Sequence, residues 1–225
     1  LETPTARFSD EASLSFNFSS SFPNEYTSLS ASPFKWFEAT YRYTEIKNKK
    51  YGPSAYSGNQ SLKDKGFDVK IRLKEEGSYF PAVAFGLRDL AGTGNFSSEY
   101  IVASKRYKNL DLTLGLGWGL LGTSGSIANP LEAIDKSFLE RNKAVGQGGE
   151  LSYASWFSGK TSIIGGLEYY LHKYGLKFKL EYDTTNPDEY GYVPRVKSRI
   201  NLGLSYFISD SLNLSAAFER GDEFR

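Results

Sequence analysis

Residues 66–74 read Gly66-Phe67-Asp68-Val69-Lys70-Ile71-Arg72-Leu73-Lys74. Every second side chain is large and apolar, and each one between is charged. A period of two marks a β-strand, whose successive side chains point to opposite faces. This strand has a wholly apolar face, Phe67, Val69, Ile71 and Leu73, and a wholly charged one, Asp68, Lys70 and Arg72.

The same pattern recurs in both directions along the chain. Leu14, Phe16 and Phe18 alternate with Ser13, Ser15 and Asn17. Phe37, Ala39, Tyr41 and Tyr43 alternate with Glu38, Thr40, Arg42 and Thr44. Val83, Phe85 and Leu87 face away from Ala84, Gly86 and Arg88, and Leu112, Leu114, Leu116 and Trp118 from Thr113, Gly115, Gly117 and Gly119. Leu176–Asp183, Ile200–Tyr206 and Leu212–Glu219 repeat it near the end. Weaker strands are expected at 26–32, 97–106, 150–157 and 161–170. The sum is about eleven or twelve strands of roughly ten residues, the length a tilted strand needs to cross a bilayer. Leu131–Leu139 reads as a helical turn or two inside a loop.

The connections come in two lengths. Glu75–Ser78, Tyr107–Asn109, Leu171–Gly175 and Ser209-Asp210 are tight turns, whereas 47–64, 120–148 and 184–195 are long, polar and rich in Gly, Asn, Ser and Pro. Short turns at one end and long loops at the other is the asymmetry of outer-membrane barrels. Placing 120–148 and 184–195 at the same end requires one strand fewer between them, and 150–157 is the weakest.

Composition narrows the function. The chain has 225 residues, 16% of them aromatic, with a formal net charge of +1. That even balance argues against a nucleic-acid partner. With no Cys and one His, disulfides, thiol nucleophiles and His-cluster metal sites are excluded. The lack of Met even at position 1 points to a processed form without its leader. Mean hydropathy is −0.43, and no apolar run approaches a membrane helix, but a barrel needs only every second residue apolar.

The competing fold is a soluble β-sandwich. Three features count against it. Gly115, Gly117 and Gly119 fall in a row on one strand face, where Gly weakens a strand unless something packs closely. The strands exceed the five or six residues usual in soluble sheets. Aromatic residues cluster near strand ends, as in the girdles at membrane interfaces. The expected fold is therefore all-β: an antiparallel transmembrane β-barrel of about twelve strands in the bacterial outer membrane, with lipid as its first partner, long extracellular loops and short periplasmic turns. Residues 11–225 form the barrel domain.

On that reading Glu38, Arg42, Asp68, Lys70, Arg72, Arg88, Lys177, Lys179 and Glu181 line the lumen. In a narrow barrel they pair into a buried network, each charge needing a partner. Residues 1–10 lack alternation and form a candidate lumen plug through Pro4 and Arg7, with Glu38, Asp68, Glu168 and Glu181 as expected carboxylates for Arg7. A frayed terminus is the competing reading. His172 reads as an exposed turn residue, and Asp183, Asn186, Asp188 and Glu189 as a solvated acidic loop rather than a calcium site. The Gly115–Gly119 run opens no helix and is not a phosphate loop. Neither a catalytic residue nor a cofactor is expected.

The chain also resembles the YjbH family of outer-membrane proteins, associated with exopolysaccharide and group 4 capsule production. Leu1–Arg7, Trp36-Phe37-Glu38 and Arg42-Tyr43-Thr44 carry the likeness, and more strongly Asp64–Lys70, Tyr79–Ala84, Gly86–Asp89, Gly92-Thr93-Gly94, Ser98-Glu99-Tyr100, Ala103-Ser104-Lys105 and Gly115–Gly119. Gly165–Tyr169 and Leu180–Asp183 extend it. The resemblance implies a non-enzymatic barrel serving polysaccharide export or assembly, with polysaccharide and export-machinery proteins as partners. Family members are generally longer, so the chain reads as a short relative or one barrel of a longer protein. The resemblance also raises glycan contact for the loop residues Tyr51, Tyr56, Tyr190 and Tyr192, whose rings lie among amide and hydroxyl donors. The alternative functions are a porin-like channel for small solutes and a surface adhesin or scaffold.

Overall fold

A computed structural model describes residues 3–90, 92, 94, 96–141, 151, 153–186 and 196–224. It is all-β: β1 (Ser13–Ser21), β2 (Asn24–Phe34), β3 (Phe37–Lys50), β4 (Ser61–Lys74), β5 (Ala82–Arg88), β6 (Ser98–Tyr107), β7 (Leu110–Gly117), β8 (Ser162–Leu171), β9 (Leu176–Tyr182), β10 (Ile200–Ser209), β11 (Leu212–Glu219) and β12 (Glu223–Phe224). They form one twelve-stranded sheet in chain order, with every neighbouring pair antiparallel. Helix is limited to short turns, including 3₁₀ turns at Pro130–Ala133 and Lys136–Leu139, and none among the described residues is long and apolar enough to cross a membrane.

The expected strands appear, with one exception. Tyr153–Ser155 is a 3₁₀ turn, so the 150–157 segment belongs to the connection after β7. That removes the surplus strand. The connections β3–β4, β5–β6, β7–β8 and β9–β10 all leave and rejoin the sheet at one end, here the first end. The turns 35–36, 75–81, 108–109, 172–175 and 210–211 fall at the second. Loop 47–64 is also shorter than expected, because β3 and β4 run on to Lys50 and from Ser61. β7 stops at Gly117, and Gly119 takes a φ of +62° as it opens a 3₁₀ turn.

The two faces divide as the alternation requires. Phe16 keeps 69% of its surface exposed and Leu114 keeps 63%, while Ala84 and Ser104 on the opposite face keep none. Asp111, Asn201, Ser205 and Glu181 are also buried on that polar face. No second sheet packs on it; only residues 3–10 and part of the 118–141 connection do, among the described residues. The soluble sandwich, with its apolar faces turned inward between two sheets, is not this fold.

The sheet is not closed into a barrel: among the described residues β1 and β12 share no ladder. β12 pairs only Glu223 with Glu219 and Phe224 with Phe218. β1 and β11 both run toward the first end, so they cannot pair antiparallel with each other. β12, antiparallel to β11, is the strand that runs opposed to both.

Candidate functional site

The chemistry is concentrated on the polar face, where residues 3–10 cross the sheet without joining it. Pro4 is buried and has no N–H to give a ladder. The strip instead hydrogen-bonds side chains at every third residue. The N–H of Thr3 donates to Glu181 Oε2 on β9 (2.9 Å), that of Ala6 to Ser104 Oγ on β6 (2.9 Å), and that of Ser9 to Glu38 Oε2 on β3 (3.3 Å). Lys70 Nζ on β4 donates to the Arg7 carbonyl at 2.6 Å. Ala6 is buried among Ala82, Ala84, Val102, Leu121 and Ile164. The Phe8 ring lies 4.4 Å from Lys70 Nζ and 4.5 Å from the Arg72 guanidinium.

Arg7 finds carboxylates other than the four expected of it. Its Nη2 lies 2.8 Å from Asp111 Oδ1 on β7, and its Nη1 lies 2.5 Å from Glu76 Oε2 in the β4–β5 turn. Asp111 is itself shared, because Arg106 Nε and Nη2 bind its other oxygen at 3.0 and 2.8 Å. Burial alone would raise the Glu76 carboxyl. The Arg106 backbone N–H, Arg7 and Lys105 outweigh that and bring it down to about 2. Sequence spacing could not find this cluster, because Glu76 reads as a solvated turn residue and its partners are distant along the chain.

All nine expected inward residues lie on the polar face, mostly in pairs. Glu38 meets Lys70 at 2.8 Å, and Arg42 meets Asp68 at 3.1 Å. Lys177 and Lys179 share Glu168 at 3.4 and 3.7 Å, and Arg72 reaches Glu75 at 3.4 Å. The Arg88 guanidinium lies 5.8 Å from the centre of the Tyr100 ring. Glu181 accepts from Asn201 Nδ2 at 3.0 Å as well as from Thr3. Gly86 is a spatial necessity here: a Cβ on it would overlap the Tyr100 ring.

In the β5–β6 connection the Asp89 N–H donates to Asp68 Oδ1 (3.0 Å), and its Oδ2 accepts from the Phe96 N–H (3.1 Å). Its Oδ1 is buried and has no partner among the described residues. Burial first, and Asp64 second, push this carboxyl up to about 7. The first end carries another network the sequence did not reveal. Arg141 forks onto buried Glu99 at 2.7 and 2.8 Å, and Asn129 joins Trp118 Nε1 to the carbonyls of Phe138 and Phe157.

Space remains beside the strip. A cleft of about 470 Å³, open to solvent, is lined by Thr5, Arg7, Asp111, Thr113, Glu168 and Lys179. A second of about 350 Å³ lies toward the first end against Asp183, Asn201, Glu219 and Arg220, and Thr3 and Glu181 wall both. His172 is exposed and stacks on Tyr170 at 5.6 Å. Asp183 accepts from Thr185 and faces Arg220. Among the described residues no group of three or more His, Asp or Glu is arranged to hold a metal ion. Tyr51 and Tyr56 are exposed at the first end. Tyr190, Tyr192, Asp188 and Glu189 lie outside the described residues.

A family model described as exopolysaccharide biosynthesis protein matches residues 1–225. The chain belongs to the YjbH family. It is 41% identical over 226 residues to a protein of Escherichia coli (strain K12) named "Uncharacterized lipoprotein YjbH". That match takes in all of this chain and 32% of the relative, so the chain spans about a third of the relative's length. No solved structure matches.

Proposed function

We propose that this chain forms a β-barrel in the bacterial outer membrane and acts there as a non-enzymatic component of exopolysaccharide or capsule export. The observation that carries the reading is the inversion of its faces. Rows of Leu, Phe and Tyr lie open on one side, and ion pairs are sheltered on the other. In water that arrangement leaves a large apolar surface unsatisfied; against lipid tails it is the favourable one. Hydrocarbon tolerates no free strand edge, so the reading requires β1 to close onto the edge formed by β11 and β12. The first end then faces outward and the second the periplasm.

In this reading residues 1–10 are the plug, held by Arg7 with Pro4 packed inside, and residues 11–225 are the wall. Exposed Tyr51 and Tyr56 offer ring faces to sugars, and polysaccharide and export proteins are the partners. Planar-bilayer recording of the purified protein is expected to give little steady conductance. Removing residues 1–10 is expected to raise conductance and lower thermal stability. The clefts beside the strip favour one competing reading, a porin-like channel, and large open channels in the intact protein would decide for it. A protein that stays in solution and does not enter vesicles would overturn the membrane assignment.

A further inference from the structure

The second end carries a pattern repeated from turn to turn. At the end of β4 the Lys74 ammonium lies 3.9 Å from the centre of the Phe80 ring in the β4–β5 turn. In the β6–β7 turn Lys108 lies 5.5 Å from the Tyr107 ring, and in the β8–β9 turn Lys173 lies 5.5 Å from the Tyr174 ring. The β2–β3 turn is Lys35-Trp36, with Trp36 stacked on Phe34 at 5.6 Å. All four rings are exposed.

These lysines differ from those of the polar face, where Lys70, Lys177 and Lys179 each meet a carboxylate. Lys35, Lys74, Lys108 and Lys173 are in no ion pair among the described residues. The carboxylates near them are engaged: Glu76 by Arg7 and Lys105, Glu75 by Arg72. Asp10, Glu11 and Asp210 belong instead to the β1 start and the β10–β11 turn, beside the open edges. The arc of turns from β2 to β9 is therefore basic and aromatic together.

We propose that this arc is a docking rim for the anionic headgroups of glycerophospholipids in the leaflet at the second end. Exposed aromatic rings sit at the boundary between acyl chains and headgroups. A lysine beside each ring is then held at the height of the lipid phosphates, where a negative surface attracts it. A free anion in solution would need the lysines but not the rings. The rim fixes the depth of the second end and orients the molecule in the membrane. This inference rests on the membrane reading above.

The test inserts the purified protein into vesicles of phosphatidylcholine and of phosphatidylcholine mixed with phosphatidylglycerol. Protease protection reads insertion, and quenching of tryptophan by brominated phosphatidylglycerol against brominated phosphatidylcholine reads lipid preference. The wild type is expected to prefer phosphatidylglycerol, by up to about fivefold per lysine at low salt, and to lose the preference in 0.5 M sodium chloride. Replacing the four lysines by glutamine (K35Q, K74Q, K108Q, K173Q) is expected to abolish it with insertion intact, and four lysine-to-arginine replacements to keep it. Insertion without preference, or a preference that survives the glutamine variant, overturns the rim. Failure to insert in either vesicle overturns the membrane reading itself, and the rim with it.

Discussion

Arg7 Nη2 and Asp111 Oδ1 lie 2.8 Å apart, joining the N-terminal strip to a strand more than a hundred residues later. The carboxylate is 4% exposed, and Arg106 holds its other oxygen. Asp111 is thus the point where strip, β6 and β7 meet, and Arg7 is the strip's ionic anchor.

Arg7→Gln is expected to lower stability by about 1–3 kcal/mol, because it withdraws one of two cations from a buried carboxylate while Arg106 remains. Thermal unfolding in detergent measures it. Acid should loosen the same anchor through Glu76. Its carboxyl is depressed to about 2 in the folded protein. Its contribution is therefore complete above the ordinary carboxylate range and fades as pH falls from there toward 2. An Arg7→Gln variant whose loss was the same at pH 7 and pH 2 would contradict this.

Asp89 works in the opposite sense. A carboxyl pushed up to about 7 prefers to be protonated in the fold, so its ionisation weakens the fold as pH rises between the ordinary range and 7, and most fully above 7. Asp64, Asp68 and Arg42 face it, and their net negative charge adds to the effect of burial. Asp89→Asn should stabilise the protein at pH 8 and leave it unchanged near pH 3. Equal stability of the two forms at pH 8 would show that the carboxylate is not confined as described.

Gly86→Ala should lower stability by about 1–3 kcal/mol, the usual range for overpacking. The added methyl overlaps the Tyr100 ring, and that ring lies beneath Arg88 in the buried cluster with Ala6. A second change, Tyr100→Ala, should make Gly86→Ala nearly neutral, and a double-mutant cycle reads the coupling.

Val69→Lys tests the open face. Near a bilayer midplane the lysine is expected to destabilise by roughly 2–4 kcal/mol in lipid vesicles. The same change should be nearly silent if that face were in water, so urea titration in vesicles separates the two cases.

The alternation of apolar and polar side chains made the β-class, most strands and both faces legible in the sequence, because a period of two is a local property of the backbone. It also placed Glu38, Lys70, Lys179 and Glu181 on the polar side, since parity alone settles that. Local pattern could not say which charges meet. Asp68 pairs with Arg42 from the adjoining strand, but Arg7 passes over the expected carboxylates to reach Asp111 and Glu76. Register and the path of the strip decide that, and both are long-range. The 150–157 segment reads only as a weak strand, and Tyr153–Ser155 is instead a 3₁₀ turn in the long β7–β8 connection. That β12 pairs with β11 and, among the described residues, shares no ladder with β1 is decided only in the assembled sheet. Sequence determined the inventory of faces, because each residue's side follows from its neighbours. Tertiary structure decided the partners, because ion pairs and ladder edges depend on where distant segments come to rest.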